Sequence, residues 1–179
     1  MVKLSHRQNH LNLLVGAVDN APARRDIARR VRHANGRLWW LDCGNVRESG
    51  QVLIGNVMDA DDLAGAFPAG LGYCRALPAP ALQHPELLQQ AVLGVPAAET
   101  QAASCAVLAA RGEQSLTVNT QVASLAFVML YRLLITRNLD FFAAYFNSRT
   151  FTTGVIRITP ANVERAANLP AGLLAHQCD

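Results

Sequence analysis

The chain has 179 residues, 51% of them hydrophobic, which is the length and apolar content of one ordinary globular domain. Its formal charge of +3 is modest and gives little weight to a nucleic-acid partner, but the charge is unevenly placed. Lys3, Arg7, Arg24, Arg25, Arg29, Arg30, Arg32 and Arg37 stand against only Asp19 and Asp26 in this basic N-terminal part, which suits either phosphates and an acidic partner or a solvated helix face.

No basic start, apolar run and small-residue cleavage site combine at the N-terminus, so the expected setting is a reducing cytoplasm. Residues 11–18 form a short apolar run ending in Asp19-Asn20, the pattern of a buried strand that opens into a turn with Asp19 at its carboxyl end. A helix follows from near Pro22, capped by Asn20, with Ile27 and Val31 on its apolar stripe and Asn35-Gly36 as its stop. Residues 38–41, with Trp39 and Trp40 pointing to opposite faces, read as a second strand, 42–49 as a polar connection, and 50–55 as a third strand. The helix between the first two strands is long enough to be a crossover, which predicts a parallel pair and an α/β fold.

Residues 56–114 read as an irregular excursion rich in Pro, Gly and Ala, with one short helical candidate over 85–90. The spacing of Val118, Val122, Leu125, Ala126, Met129 and Leu133 predicts a long helix over 116–136. Phe127, Leu130 and Leu134 widen its stripe, so a central position or a subunit interface is expected. Its most apolar stretch, residues 122–135, is too short to span a membrane and carries Ser124 and Arg132. Residues 141–146 and 154–158 predict an antiparallel hairpin around Asn147-Ser148-Arg149, and 159–179 a loose tail after a domain covering 1–158. The cysteines Cys43, Cys74, Cys105 and Cys178 form no C-x-x-C pair, and His6 and His10 have no third ligand beside them, so no zinc site is expected.

The strand followed by Val18-Asp19-Asn20-Ala21-Pro22-Ala23-Arg24, then the strand at 38–41 and Ser49-Gly50-Gln51-Val52, resembles the second half of the ThiF/MoeB/HesA family, the adenylation fold shared with ubiquitin-activating enzymes. Asp42-Cys43-Gly44-Asn45, Ser104-Cys105 and the helix from Asn119 further resemble the ThiF-like proteins of PRTRC gene systems. The resemblance covers most of residues 11–158. It implies a partial Rossmann-like sheet with a long apolar helix and a C-terminal hairpin, ATP and magnesium as cofactors, and a ubiquitin-like or sulfur-carrier protein as partner. It also implies a homodimer or a complementing N-terminal half.

On that resemblance Asp19 belongs on the magnesium–ATP side, and Asn20 and Arg24 complete the cofactor-binding motif, bracing the turn or the carrier tail. Cys105 matches a region where family members hold the carrier as a thioester; an ordinary packed thiol is the other reading, since Arg111 is the only basic residue near it in sequence. The family's glycine-rich nucleotide loop does not occur in these residues, because Gly16 is the only glycine before Gly36. The expectation is a truncated or split adenylating enzyme that is inactive alone, with a non-catalytic interaction protein as the alternative.

Overall fold

The computed structural model describes residues 11–46, 48–69, 74–89 and 116–174. The first strand, β1 (Asn12–Gly16), leads into α1 (Ala21–His33), and Asn20 caps the helix by accepting a 2.8 Å hydrogen bond from the Ala23 amide. That cap occupies a first-turn donor that has no partner within the helix. Arg30, Arg32 and His33 in the last turn complement the negative end of the helix dipole. Asn35 and Gly36 then turn the chain at φ values of 47° and 76°, the left-handed region that favours these residue types.

The chain re-enters the sheet as β2 (Leu38–Asn45), reverses into β3 (Ser49–Gly55), and returns much later as β4 (Phe141–Asn147) and β5 (Thr152–Arg157). The five strands lie side by side in chain order. The β1–β2 pair is parallel, as the crossover requires, and every later pair is antiparallel. The fold is therefore α/β with a mixed sheet. The polar connection expected from Asp42 onward is instead the second half of β2, because Asp42, Cys43, Gly44 and Asn45 continue the ladder to β3. A charged residue does not end the strand when its charge has a partner inside the fold.

Alternation along the strands separates two faces. Trp39 joins the larger apolar cluster, while Trp40 packs with Ala28 and Val31 of α1 and with Ala79 and Ala81. On the Trp40 face lie α1, the short helix α2 (Pro80–Gln83) and a 3-10 turn at Pro85–Leu88, the last joined to α1 where Arg25 Nη1 donates to the Leu88 carbonyl at 2.8 Å. The Trp39 face is covered by α3 (Leu116–Leu134), whose Val122 reaches Gly50 and Phe146 and whose Asn119 hydrogen-bonds Asn45.

The described part of the expected excursion is ordered and contributes core. Leu63 and Leu77 are fully buried, and the Asn56 side chain joins the Leu77 amide at 2.8 Å to the Gly36 carbonyl at 2.9 Å. Likewise the expected loose tail contains α4 (Pro160–Ala166), which buries Val163. Buried Glu164 accepts from the Leu174 amide at 2.6 Å and the Gly172 amide at 3.0 Å, which folds the following segment back onto the helix. The 19-residue α3 faces the sheet with Val118, Val122, Ala126, Met129 and Leu133. Its outward side carries Thr120, Gln121 and Ser124 in the first half and exposed Phe127, Val128, Tyr131 and Leu134 in the second. No described helix is long and apolar enough to cross a membrane.

Candidate functional site

In a parallel pair the carboxyl ends of the strands open onto the crevice where ligands of α/β folds bind. At this end of β1 the Asp19 side chain is exposed and accepts a 3.3 Å hydrogen bond from Asn20 Nδ2. Asn20 spends its own carbonyl oxygen on the helix cap. Arg24 does not join them. One turn into α1, it leans across β2 and places Nε 3.2 and 3.3 Å from the two Asp42 oxygens.

Asp42 is the buried acid of the sheet, with no exposed surface, and its partner Arg24 retains 11% side-chain exposure. Burial pushes the Asp42 carboxyl above its ordinary value, while the Arg24 charge and hydrogen bond oppose that shift. The Trp40 indole N–H is buried next to it and gives a smaller push toward the charged form, although no hydrogen bond of ordinary geometry joins the two. Gly16, the register partner of Asp42, permits this packing: a Cβ there would stand 2.9 Å from Trp40 Nε1 and 3.3 Å from Asp42 Oδ1.

The next row along the same face is Gly44, Gln51, Tyr145 and Gly154, each opposite its neighbour in the ladder. A Cβ on Gly44 would sit 3.7 Å from Arg24 Nη2 and 3.4 Å from Gln51 Nε2, so the two polar rows adjoin. Tyr145 Oη lies 2.7 Å from His84 Nε2, and His84 Nδ1 lies 2.8 Å from Glu86 Oε1. Glu86 is held below the usual carboxylate range, first by its own backbone amide and then by His84. Burial, and then the Glu86 charge, pushes the Tyr145 phenol up. With the carboxylate accepting from Nδ1–H, Nε2 is the free acceptor and the Tyr145 hydroxyl donates to it.

Among the sequence-predicted residues, Asp19 and Asn20 stand together, Arg24 belongs to Asp42, and Cys105 lies outside the described residues. Asp42 and the Tyr145–His84–Glu86 chain went unread. The signal for Asp42 was an acid continuing an apolar strand one helix away from an arginine; His84-Pro85-Glu86 carried only a hint, because Tyr145 is 61 positions from His84. Of the described thiols, burial pushes Cys43 up to about 11 and Cys74 up to about 12, so neither is a ready nucleophile. The described residues contain no group of three His, Cys, Asp or Glu able to hold a metal ion. For magnesium–ATP the Asp19-Asn20-Arg24 motif offers one exposed carboxylate, Asp19, with Arg24 already engaged, and that set does not fit a triphosphate by itself. Compared with known proteins, the chain matches no family model and no curated protein.

Proposed function

We propose that these residues are the second half of an adenylating fold of the ThiF/MoeB/HesA kind, inactive until a strand and glycine-rich loop from outside them complete the nucleotide crevice. The observation that carries this reading is β1. It is a parallel strand with no neighbour on its outer side among the described residues, with Leu11, Leu13 and Leu14 packed on its two faces and Asp19 exposed just beyond its carboxyl end. Parallel strands are ordinarily covered, and an edge left open is ordinarily blunted by a charge, a proline or a bulge. Asn12-Leu-Leu-Val-Gly16 has none of these. A groove lined by residues 11–14 with Ala34, Arg37 and Leu38 lies at the amino end of the same strand, away from Asp19.

In the completed crevice, which lies in the cytoplasm, Asp19 faces the metal side of ATP and the carboxylate activated is that of a ubiquitin-like or sulfur-carrier protein. The expected result is that the purified chain catalyses no ATP–pyrophosphate exchange. Fused behind the N-terminal half of a ThiF-type enzyme it gains exchange, and Asp19→Ala removes that gain. Exchange by the chain alone, or a fusion that binds ATP yet stays silent with a panel of carrier proteins, sinks the reading.

A second reading, a non-catalytic interaction protein that dimerises through α3, is favoured by the exposed Phe127, Val128, Tyr131, Leu134 and Ile135. It separates from the first by light scattering: there, Phe127→Ser and Tyr131→Ser together abolish self-association, whereas opening of β1 alone leaves it unchanged.

A further inference from the structure

We propose that Tyr145 is a nucleophile primed by His84 and Glu86, and that this trio forms an acyl-accepting centre separate from the Asp19 corner. The inference does not depend on the adenylation reading. Its basis is the alignment of three groups from two distant segments: Glu86 on His84 Nδ1 at 2.8 Å, and His84 Nε2 on Tyr145 Oη at 2.7 Å. A carboxylate, an imidazole and a hydroxyl in that order are a nucleophile, its general base, and the group that fixes the base's tautomer. A mere tie between the 3-10 turn and the sheet needs one hydrogen bond. Here the carboxylate is spent on the far nitrogen of the same ring, where it selects the tautomer that accepts the phenol proton.

The surroundings choose the electrophile. The nearest charge on the trio is the Glu86 carboxylate, and Arg24 is already neutralised by Asp42. An anionic phosphoryl donor therefore meets the repulsion of Glu86, with the Arg25 guanidinium turned to the Leu88 carbonyl, whereas a neutral acyl group meets none. Access is present too: Tyr145 is half-buried, the His84 side chain is 29% exposed, and the row that holds Tyr145 ends in Gly154, whose missing side chain leaves open space.

In the step, Tyr145 Oη bonds to the carbonyl carbon of an ester, thioester or acyl-azole while its proton passes to His84 Nε2, and the imidazolium is held by Glu86. Collapse breaks the bond to the leaving group, which departs with the proton from His84, leaving an O-acyl tyrosine, a neutral imidazole and the Glu86 carboxylate. The raised position of the Tyr145 phenol suits this order, since the proton leaves during attack and not beforehand.

Tyr131 is an internal control, 46% exposed and stacked on Phe127, with no base on its hydroxyl among the described residues. With N-acetylimidazole as probe and peptide mass spectrometry as readout, Tyr145 is expected to acetylate at least about tenfold faster than Tyr131 despite its lower exposure. Glu86→Gln, at a surface position that tolerates change, and His84→Ala are each expected to remove most of that advantage while the Tyr131 rate stays constant. Hydroxylamine is expected to remove the Tyr145 label, as for a phenyl ester. Equal or faster reaction at Tyr131 overturns the proposal, and so does a Tyr145 rate unchanged by Glu86→Gln.

Discussion

The two faces of the sheet are built from different materials. On the α3 side the contact is mainly apolar: Val52, Ile54 and Ala144 are fully buried in one apolar cluster with Met129 and Leu133 of the helix. On the α1 side the apolar patch of Trp40, Ala28 and Val31 stops short, and rows of Asp42 with Arg24 and of Gln51 with Tyr145 take over toward the carboxyl ends of β1 and β2. The first face obtains its stability from burial, which tolerates small adjustments of shape. The second depends on fixed partners, and a change there leaves a polar group stranded.

The sharpest way to break this contrast is to place one methyl group on each face. At Gly55, on the α1 side, a Cβ would stand 1.9 Å from the Pro78 carbonyl oxygen, and backbone cannot swing away. Gly55→Ala is expected to cost more than about 4 kcal/mol and to leave little folded protein. At Gly50, on the α3 side, a Cβ would meet Phe146 and Val122 side-chain atoms at 2.5 and 2.6 Å, which can shift with some repacking. Gly50→Ala is expected to cost only about 1–3 kcal/mol. Urea unfolding followed by circular dichroism ranks the two, and a Gly50 variant less stable than the Gly55 variant would reverse the comparison.

Next in size is the buried pair. Arg24→Ala is expected to cost about 3 kcal/mol at neutral pH, because it leaves Asp42 without its counter-charge, while Arg24→Met with Asp42→Leu costs less than the single change. The pH dependence has a definite sign. Burial already raises the Asp42 carboxyl and Arg24 opposes it, so removing Arg24 raises the folded-state value further. The folded variant then binds a proton more readily than the unfolded chain, whose aspartate titrates at about 3.9. Its stability is best preserved below that pH and is lost as pH rises through the folded value. The gap between wild type and Arg24→Ala should therefore be narrower at pH 5 than at pH 7 in parallel urea titrations; a gap that widens on acidification contradicts the burial of Asp42.

The smallest effect sharpens the role of the Asp19-Asn20 corner. Asn20→Ala removes the α1 cap and is expected to cost about 1 kcal/mol, seen as a small fall in the urea midpoint, with Asn20→Gly costing a few tenths. A loss several times larger would give Asn20 a role beyond capping.

What could be read in advance was what sequence neighbours decide. The Asn20 cap, the Asn35-Gly36 stop, the parallel pair around α1, the opposed tryptophans and the inward stripe of α3 all follow from spacing along one segment. Asp42 escaped because an acid after Leu-Trp-Trp-Leu looks like the end of a strand unless an arginine 18 positions earlier is known to reach it. The seven-residue α4 was too short for its periodicity to register, and its return contact to Leu174 runs through a buried glutamate that composition alone places on the surface. The Tyr145 trio depends on β4 returning beside β3, a long-range fact that no local pattern encodes.

The strand order carries a consequence for how the chain reaches its fold. The β1–β2, β2–β3 and β4–β5 ladders each join segments that follow one another, so they close short loops and can form early. The β3–β4 ladder is different, bringing Ser148 onto the Glu48 carbonyl across 100 positions of chain. That seam sets the entropy of the search, and the bottleneck of folding belongs to it. Until it closes, Tyr145 and His84 stand on separate pieces of chain, and the polar face exists only as two unjoined halves.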